Sequence, residues 1–337
     1  METWMERLLA WYRDNARALP WRQTKDAYRI WVSEIMLQQT RVEAVRGYYT
    51  RFLEALPDVR ALADVDEQRL LKLWEGLGYY SRARNLHLAA QRVVAAFDGR
   101  LPEDYDALLS LPGVGEYTAG AIASIAYGIA VPAVDGNVLR VMARLRNDPS
   151  DILDAAVKRR VRETLLSSMP KDEPGAFNQA LMELGATVCA PNGLPHCAAC
   201  PIREHCLAHE SGTAAALPVK RGKKARRIEE KTVFVLRSGH AIAGYQRPAT
   251  GLLASLWQLP DAAGVLDADA MARQLDAWGA RPLGEWRLYE QRHIFTHVEW
   301  RMHVCAVEVD LPVLPVGWIW MDEAVHALPT AYRVCLS

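Results

Sequence analysis

A chain of 337 residues, 50% hydrophobic and 24% charged, holds enough apolar material for two compact domains and too much for a disordered or fibrous protein. Forty basic side chains balance forty acidic ones, so bulk charge neither advertises nor excludes a nucleic-acid partner. The imbalance is local: residues 211–231 carry seven basic and two acidic side chains.

In chain order, Trp4, Leu8, Trp11 and Tyr12 recur at helical spacing among charged residues, which argues against a secretory signal. Residues 30–37 predict an apolar helix, and amphipathic helices follow at 67–73, 84–97 and 155–166, separated by loops with Pro and Gly. The uncharged stretch 118–134 is interrupted by Gly120, Gly128 and Pro132 and is too short for a comfortable membrane span, so it reads as a buried helix and a loop. No strand pattern occurs before about residue 210. Beyond the basic stretch 220–227, residues 232–237, 241–245 and 302–309 read as strands, and Met271, Leu275 and Trp278 supply a helix between them. The expected organisation is an all-α domain over 1–215, a basic linker over 216–231 and a small α+β domain over 232–337. The linker is either a solvated connector or a phosphate-binding segment.

Three features carry chemistry. Cys189, Cys197, Cys200 and Cys206 form C-x7-C-x2-C-x5-C over residues 189–206. Reduced thiols clustered in this way point to a metal site, either zinc or [4Fe-4S]; one short knuckle and two loose gaps suit a cubane better than zinc. The run Leu111, Pro112, Gly113, Val114, Gly115 joins a helical stretch at 105–110 to the uncharged helix, giving a hairpin over about 105–128. Its glycines permit a tight turn with backbone N–H groups at a helix N-terminus, able to grip a phosphate, although an ordinary Pro-Gly turn reads the same way. Finally, Glu34 lies on an apolar helix among Ile30, Trp31 and Leu37, where desolvation should raise its pKa unless a cation such as Arg41 pairs with it. Asp135, between Val134 and Gly136, is either a helix N-cap or the second of two carboxylates in unlike settings. One would donate a proton while the other, ionised, faces a sugar cation, and that pairing suits cleavage of a glycosidic bond.

Glu34 within S-E-I-M-L-Q-Q-T, G-L-G-Y-Y-S-R-A-R-N from Gly76, L-P-G-V-G-E-Y-T-A-G-A from Leu111, V-D-G-N-V from Val134 and the cysteine loop together resemble the helix-hairpin-helix DNA glycosylases with an iron-sulfur cluster. Within that superfamily the chain is similar to the MutY-type adenine DNA glycosylases, which remove adenine opposite 8-oxoguanine. The likeness implies a monomeric base excision repair enzyme acting on double-stranded DNA in the cytoplasm, at the nucleoid if prokaryotic, away from membranes. It also implies one [4Fe-4S] cluster on the four cysteines. Related lyases carry a lysine where Tyr117 stands, so a monofunctional enzyme with no Schiff base is implied. Glu34 would protonate the flipped adenine at N7 and assist water attack; Asp135 would stabilise an oxocarbenium-like or covalent intermediate, with Tyr117 and Asn137 hydrogen-bonding around the site. Gln39 and Tyr79 would be wedges, and Arg17, Leu19, Trp21, Arg22 and Gln179 would line the adenine pocket or its mouth. The gap after Cys189 is one residue longer than the family's six.

The C-terminal part resembles the MutT (Nudix) module that such enzymes use to recognise 8-oxoguanine, through G-L-L-A-S-L-W-Q-L-P from Gly251 and H-I-F-T-H from His293. Phe295, Thr296 and His297 match a loop that usually reads Phe-Ser-His, and threonine preserves the hydroxyl. Residues 267–280 contain no glutamate, so Mg²⁺-dependent nucleotide hydrolysis by this module is not expected.

Overall fold

The computed structural model describes residues 3–191, 193–222 and 225–336; Lys223 and Lys224 of the basic stretch lie outside the described residues. By internal contacts the chain divides into two units, residues 1–64 with 84–222, and residues 65–83 with 223–337.

The first unit is helical. Its elements are α1 (Trp4–Asn15), α2 (Ala27–Leu37), α3 (Val42–Ala55) and α4 (Val59–Asp64), then, after α5 (Glu67–Leu73) of the other unit, α6 (Ser81–Phe97), α7 (Tyr105–Leu109), α8 (Glu116–Tyr127), α9 (Gly136–Leu145), α10 (Ala155–Ser168), α11 (Pro174–Thr187) and α12 (Leu207–Glu210). Short polar side chains set the starts: Thr3 and Glu6 form a capping box on α1, and Asp26, Asp104, Asp135 and Asp154 each accept a backbone N–H at the head of α2, α7, α9 and α10. Leu8, Val138, Met142, Leu165, Phe177 and Leu181 form the core that joins α1, α9, α10 and α11. Phe177 is fully buried, and its truncation to alanine is expected to cost about 3–5 kcal/mol.

Glycine lets the segment leading to Asp135 pass close to α8. A β-carbon on Gly120 would lie 2.5 Å from the carbonyl oxygen of Pro132, so no larger residue fits. Asn178, fully buried on α11, fixes the same segment: it accepts from Ala133 N–H at 3.0 Å and donates to Val131 O at 2.9 Å and Ser124 Oγ at 2.8 Å. Among the described residues no helix is long and apolar enough to cross a membrane.

The second unit is a mixed sheet of β1 (Arg227–Ser238), β2 (Ala241–Gln246), β3 (Trp257–Gln258), β4 (Asp261–Ala263), β5 (Arg281–Pro282), β6 (Arg287–Ile294), β7 (Val298–Asp310) and β8 (Trp318–Met321), with α13 (Ala268–Ala277) and α14 (Thr330–Arg333). β1 runs parallel to β7 and antiparallel to β2 and β4; β6 returns antiparallel on β7, and β8 pairs β2. Period-two alternation divides the apolar residues between the faces. Phe234 and Leu236 pack with Met271 and Leu275 of α13, whereas Val233 and Val235 pack with Trp300, Ala331 and Tyr332.

β1 begins at Arg227, so the last five residues of the expected 216–231 linker are strand instead. Register with β7, from Arg227↔Val298 to Arg237↔Glu308, extends the strand through a charged stretch that has no apolar alternation to announce it. Residues 65–83 join this unit through polar contacts. Gln68 Oε1 accepts from Trp257 Nε1 at 2.9 Å, and the Glu75 carboxylate receives Leu328 N–H at 2.9 Å and Arg333 Nη2 at 2.6 Å.

Candidate active site

Glu34 stands on the buried face of α2 and is 5% exposed. Its Oε2 accepts the Tyr117 hydroxyl, from the first turns of α8, at 2.5 Å. Burial pushes the Glu34 carboxyl up to about 7; the Tyr117 hydrogen bond opposes the rise, the Asp135 charge adds to it, and Arg22 opposes it. Arg41, the alternative counter-ion, is an exposed residue at the head of α3. Burial, with the charges of Glu34 and Asp135, also holds the Tyr117 hydroxyl well above its ordinary range, so it acts as a donor.

Asp135 is the N-cap of α9. Oδ1 accepts Val138 N–H at 2.8 Å and Oδ2 accepts Asn137 Nδ2 at 2.6 Å. Burial raises its pKa, and these donors with Arg140 pull the other way. Donors at both oxygens are the surroundings of an ionised carboxylate. The N-cap and catalytic readings of Asp135 are therefore compatible. Arg140 Nη2 donates to Asn137 Oδ1 at 2.8 Å, which turns the Asn137 amide nitrogen toward Asp135.

Arg17 and Arg22 meet at Glu183 of α11, the helix that also carries Gln179. Arg17 grips Glu183 through Nε and Nη2, each at 2.7 Å, and Arg22 Nη2 donates to the same carboxylate at 2.7 Å. Gln179 donates to Gly175 O at 3.3 Å. Leu19 and Trp21 are buried in the core, Trp21 edge-on to Tyr49 with ring centroids 5.3 Å apart. Gln39, just beyond α2, is exposed and has φ of 59°, a left-handed backbone uncommon for a non-glycine residue. In the hairpin, Val114 N–H closes on Leu111 O at 3.1 Å around Gly113, whose φ is 72°. Gly115 caps α8, with open space where a β-carbon would be.

In the sheet unit, Phe295, Thr296 and His297 form the tight turn between β6 and β7, closed by Phe295 N–H to Val298 O at 2.8 Å. Phe295 packs against Trp300 with centroids 4.9 Å apart, and Thr296 Oγ1 lies 3.0 Å from the Tyr79 hydroxyl. Thr296 and His297 are exposed.

Cys189, Cys197, Cys200 and Cys206 are free of disulfides and line one small cavity with Val188 and Pro195. Among the described residues no three His, Cys, Asp or Glu side chains converge as ligands on a single ion. Two arginines of α9 reach this loop: Arg140 Nε donates to Cys189 O at 2.8 Å, and Arg144 Nη1 to Cys189 Sγ at 3.2 Å.

Sequence reasoning missed Glu183, Arg140, Arg144 and Asn178. Glu183 stands alone in the apolar segment 180–188, the same signal that marked Glu34. Arg140 and Arg144, spaced i,i+4 in α9, are 5% and 3% exposed, a burial that arginine rarely shows without dedicated partners.

Residues 32–167 match the model of the HhH-GPD superfamily base excision DNA repair proteins, and residues 232–337 match the NUDIX domain. The adenine DNA glycosylase of Homo sapiens is 35% identical over 380 residues, covering 94% of this chain and 69% of that protein. Among solved structures, a thermostable thymine-DNA glycosylase superposes with a TM-score of 0.57 at 28% identity, covering 61% of this chain and 95% of that one. A non-covalent endonuclease III–DNA complex superposes at 0.53 and 25%, covering 63% and 99%.

Proposed function

The chain belongs to the adenine DNA glycosylases, enzymes of base excision repair, and from that premise we propose that it hydrolyses the N-glycosidic bond of adenine opposite 8-oxoguanine in duplex DNA. The observation that carries the reading is Glu34: a carboxyl with its pKa at about 7, hydrogen-bonded to Tyr117 and electrostatically coupled to Asp135.

Tyr117 donates to Oε2, so the transferable proton of neutral Glu34 belongs on Oε1. From there it passes to N7 of the flipped adenine, which then leaves as a neutral base. The deprotonated Glu34 next takes a proton from the attacking water. Asp135, aimed by Val138 N–H and Asn137, stabilises the cationic sugar electrostatically or bonds to it transiently. Tyr117 stands where a lyase would need lysine, so the sugar is released by water and the strand is left uncut.

Flipping costs a few kcal/mol, and Gln39 and Tyr79 are the residues we assign to fill the vacated stack. Gly113, Gly115 and the head of α8 would hold the backbone phosphate. The turn at Phe295, Thr296 and His297 would read 8-oxoguanine, with Thr296 supplying the hydroxyl.

We infer that Cys189, Cys197, Cys200 and Cys206 would hold a [4Fe-4S] cluster. Four cysteines free of disulfides at one cavity are the soft thiolate donor set that an iron-sulfur cluster would take. Bound there, the cluster would tie the loop together; Arg144 would place N–H charge at Cys189 Sγ, and Arg140 would connect the loop to Asn137.

The test is release of free adenine from a duplex with adenine opposite 8-oxoguanine, compared with adenine opposite guanine. Faster release from the first, cut by orders of magnitude in Glu34→Gln or Asp135→Asn, is the expected result. No release by the intact protein overturns the proposal.

A further inference from the structure

The loop at residues 76–79 is wound into left-handed backbone. Gly76 and Gly78 have φ of 98° and 69°, and Tyr79, which has a β-carbon, is held at 48°. That conformation is disfavoured for any side chain and persists only where the surroundings enforce it. The Tyr79 side chain is 45% exposed and is held at its tip by Thr296 Oγ1, 3.0 Å from its hydroxyl, a contact at the far end of the ring that leaves the carbonyls of the loop to another partner.

Arg82 is that partner. Its Nη2 donates to Leu77 O at 3.1 Å and to Gly78 O at 3.0 Å. Its guanidinium carbon lies 5.4 Å from the Trp74 ring centroid and 5.5 Å from that of Tyr79. Trp74 Nε1 adds a third donor, to Gly78 O at 3.2 Å. Arg82 is 8% exposed, and burial lowers its pKa to about 10, so it stays charged at neutral pH. A buried cation set against carbonyls and ring faces needs a flat, forked donor, which lysine does not provide.

We propose that Arg82 is a positioning residue that preforms the wedge, folding the 76–79 loop around its guanidinium so that the Tyr79 ring is already held in place before DNA arrives. The inference rests on the reading of Tyr79 as a residue that enters the base stack. With the loop already ordered, binding energy is not consumed in ordering it. Arg82 itself touches neither base nor sugar and acts through Tyr79.

The experiment uses the full chain and a duplex with a non-hydrolysable adenosine analogue opposite 8-oxoguanine and 2-aminopurine beside the 8-oxoguanine. Dissociation constants and 2-aminopurine fluorescence are read together. Tyr79→Ala is expected to weaken binding about tenfold and to remove the wedge-dependent fluorescence change. Arg82→Lys is expected to reproduce both effects, and the double variant to lose no more than Tyr79→Ala alone, because the two residues act in series. Should Arg82→Lys fail to fold, Trp74→Phe takes its place; it keeps a ring and deletes the donor to Gly78, and a smaller change of the same kind is expected. Additive losses, or unchanged fluorescence in the position-82 variant while Tyr79→Ala loses its signal, overturn the role of Arg82 and leave the wedge reading intact. If Tyr79→Ala changes neither readout, the wedge reading falls and this inference falls with it.

Discussion

Glu34 on α2 and Glu183 on α11 are lone carboxylates among apolar neighbours in buried helices of the same unit, at 5% and 0% exposure. Burial pushes both upward. For Glu34 it prevails and the pKa reaches about 7, because the bound partner is a neutral hydroxyl and Asp135 adds like charge. For Glu183 the hydrogen bonds and charges of Arg17 and Arg22 outweigh burial and bring the pKa down to about 2. The first carboxyl is left able to exchange a proton near neutral pH, while the second is a fixed anion that anchors two guanidinium groups. Arg22 belongs to both settings, since it binds Glu183 and also lowers the pKa of Glu34.

The largest break in this contrast should come from Glu34→Gln. The amide that replaces the carboxyl has no acidic proton to give, and single-turnover release of adenine is expected to fall by about 10³-fold. Glu183→Gln should act on stability instead. It leaves Arg17 and Arg22 with an uncharged partner in a buried setting, for an expected loss of about 3 kcal/mol at pH 7 in denaturant unfolding. An equal loss of stability from both variants would mean that the two carboxylates do not differ in charge.

Stability against pH sharpens the contrast, and the signs are opposite. The folded pKa of Glu34 lies above its ordinary 4.5, so its contribution is fully present below that value and is lost as pH rises through about 7. The folded pKa of Glu183 lies below 4.5, so its contribution is present above that value and is lost as pH falls through about 2. Glu34→Gln is therefore expected to gain about 2 kcal/mol over the parent between pH 5 and pH 8, whereas Glu183→Gln is at its greatest disadvantage near neutrality.

Much of this site was legible in the chain. A carboxylate among Ile30, Trp31 and Leu37 has no counter-charge among these neighbours, and desolvation, the largest cause of its elevated pKa, follows from that apolar company. The helical half was legible because its apolar residues recur with period 3.6 between loops that contain Pro and Gly. What was hidden lay in long-range pairing. Glu183 carries the same local signal as Glu34, and only the fold brings residues 17 and 22 to it from more than 160 positions away. The start of β1 was hidden likewise, since its charged residues are held by register with β7 and not by their own alternation. Residues 65–83 read as one more piece of the helical half; their place in the second unit depends on Gln68 and Glu75 finding Trp257 and Arg333, which no local pattern encodes.

The smallest effect tests the partner that separates the two carboxylates. Tyr117 donates to Glu34 Oε2 and stabilises the ionised form, so it holds the pKa below what burial alone would set. Tyr117→Phe removes the donor and keeps the ring. If the alkaline limb of the adenine-release profile is the ionisation of Glu34, it is expected to move upward by up to about one pH unit. Glu183→Gln should move that limb the other way, because Arg22, relieved of its anion, acts more strongly on Glu34. Opposite displacements of one titration by two substitutions, each measured as rate against pH, would assign the limb to Glu34. A limb that moves in neither variant would assign it to another group and remove Glu34 as the acid.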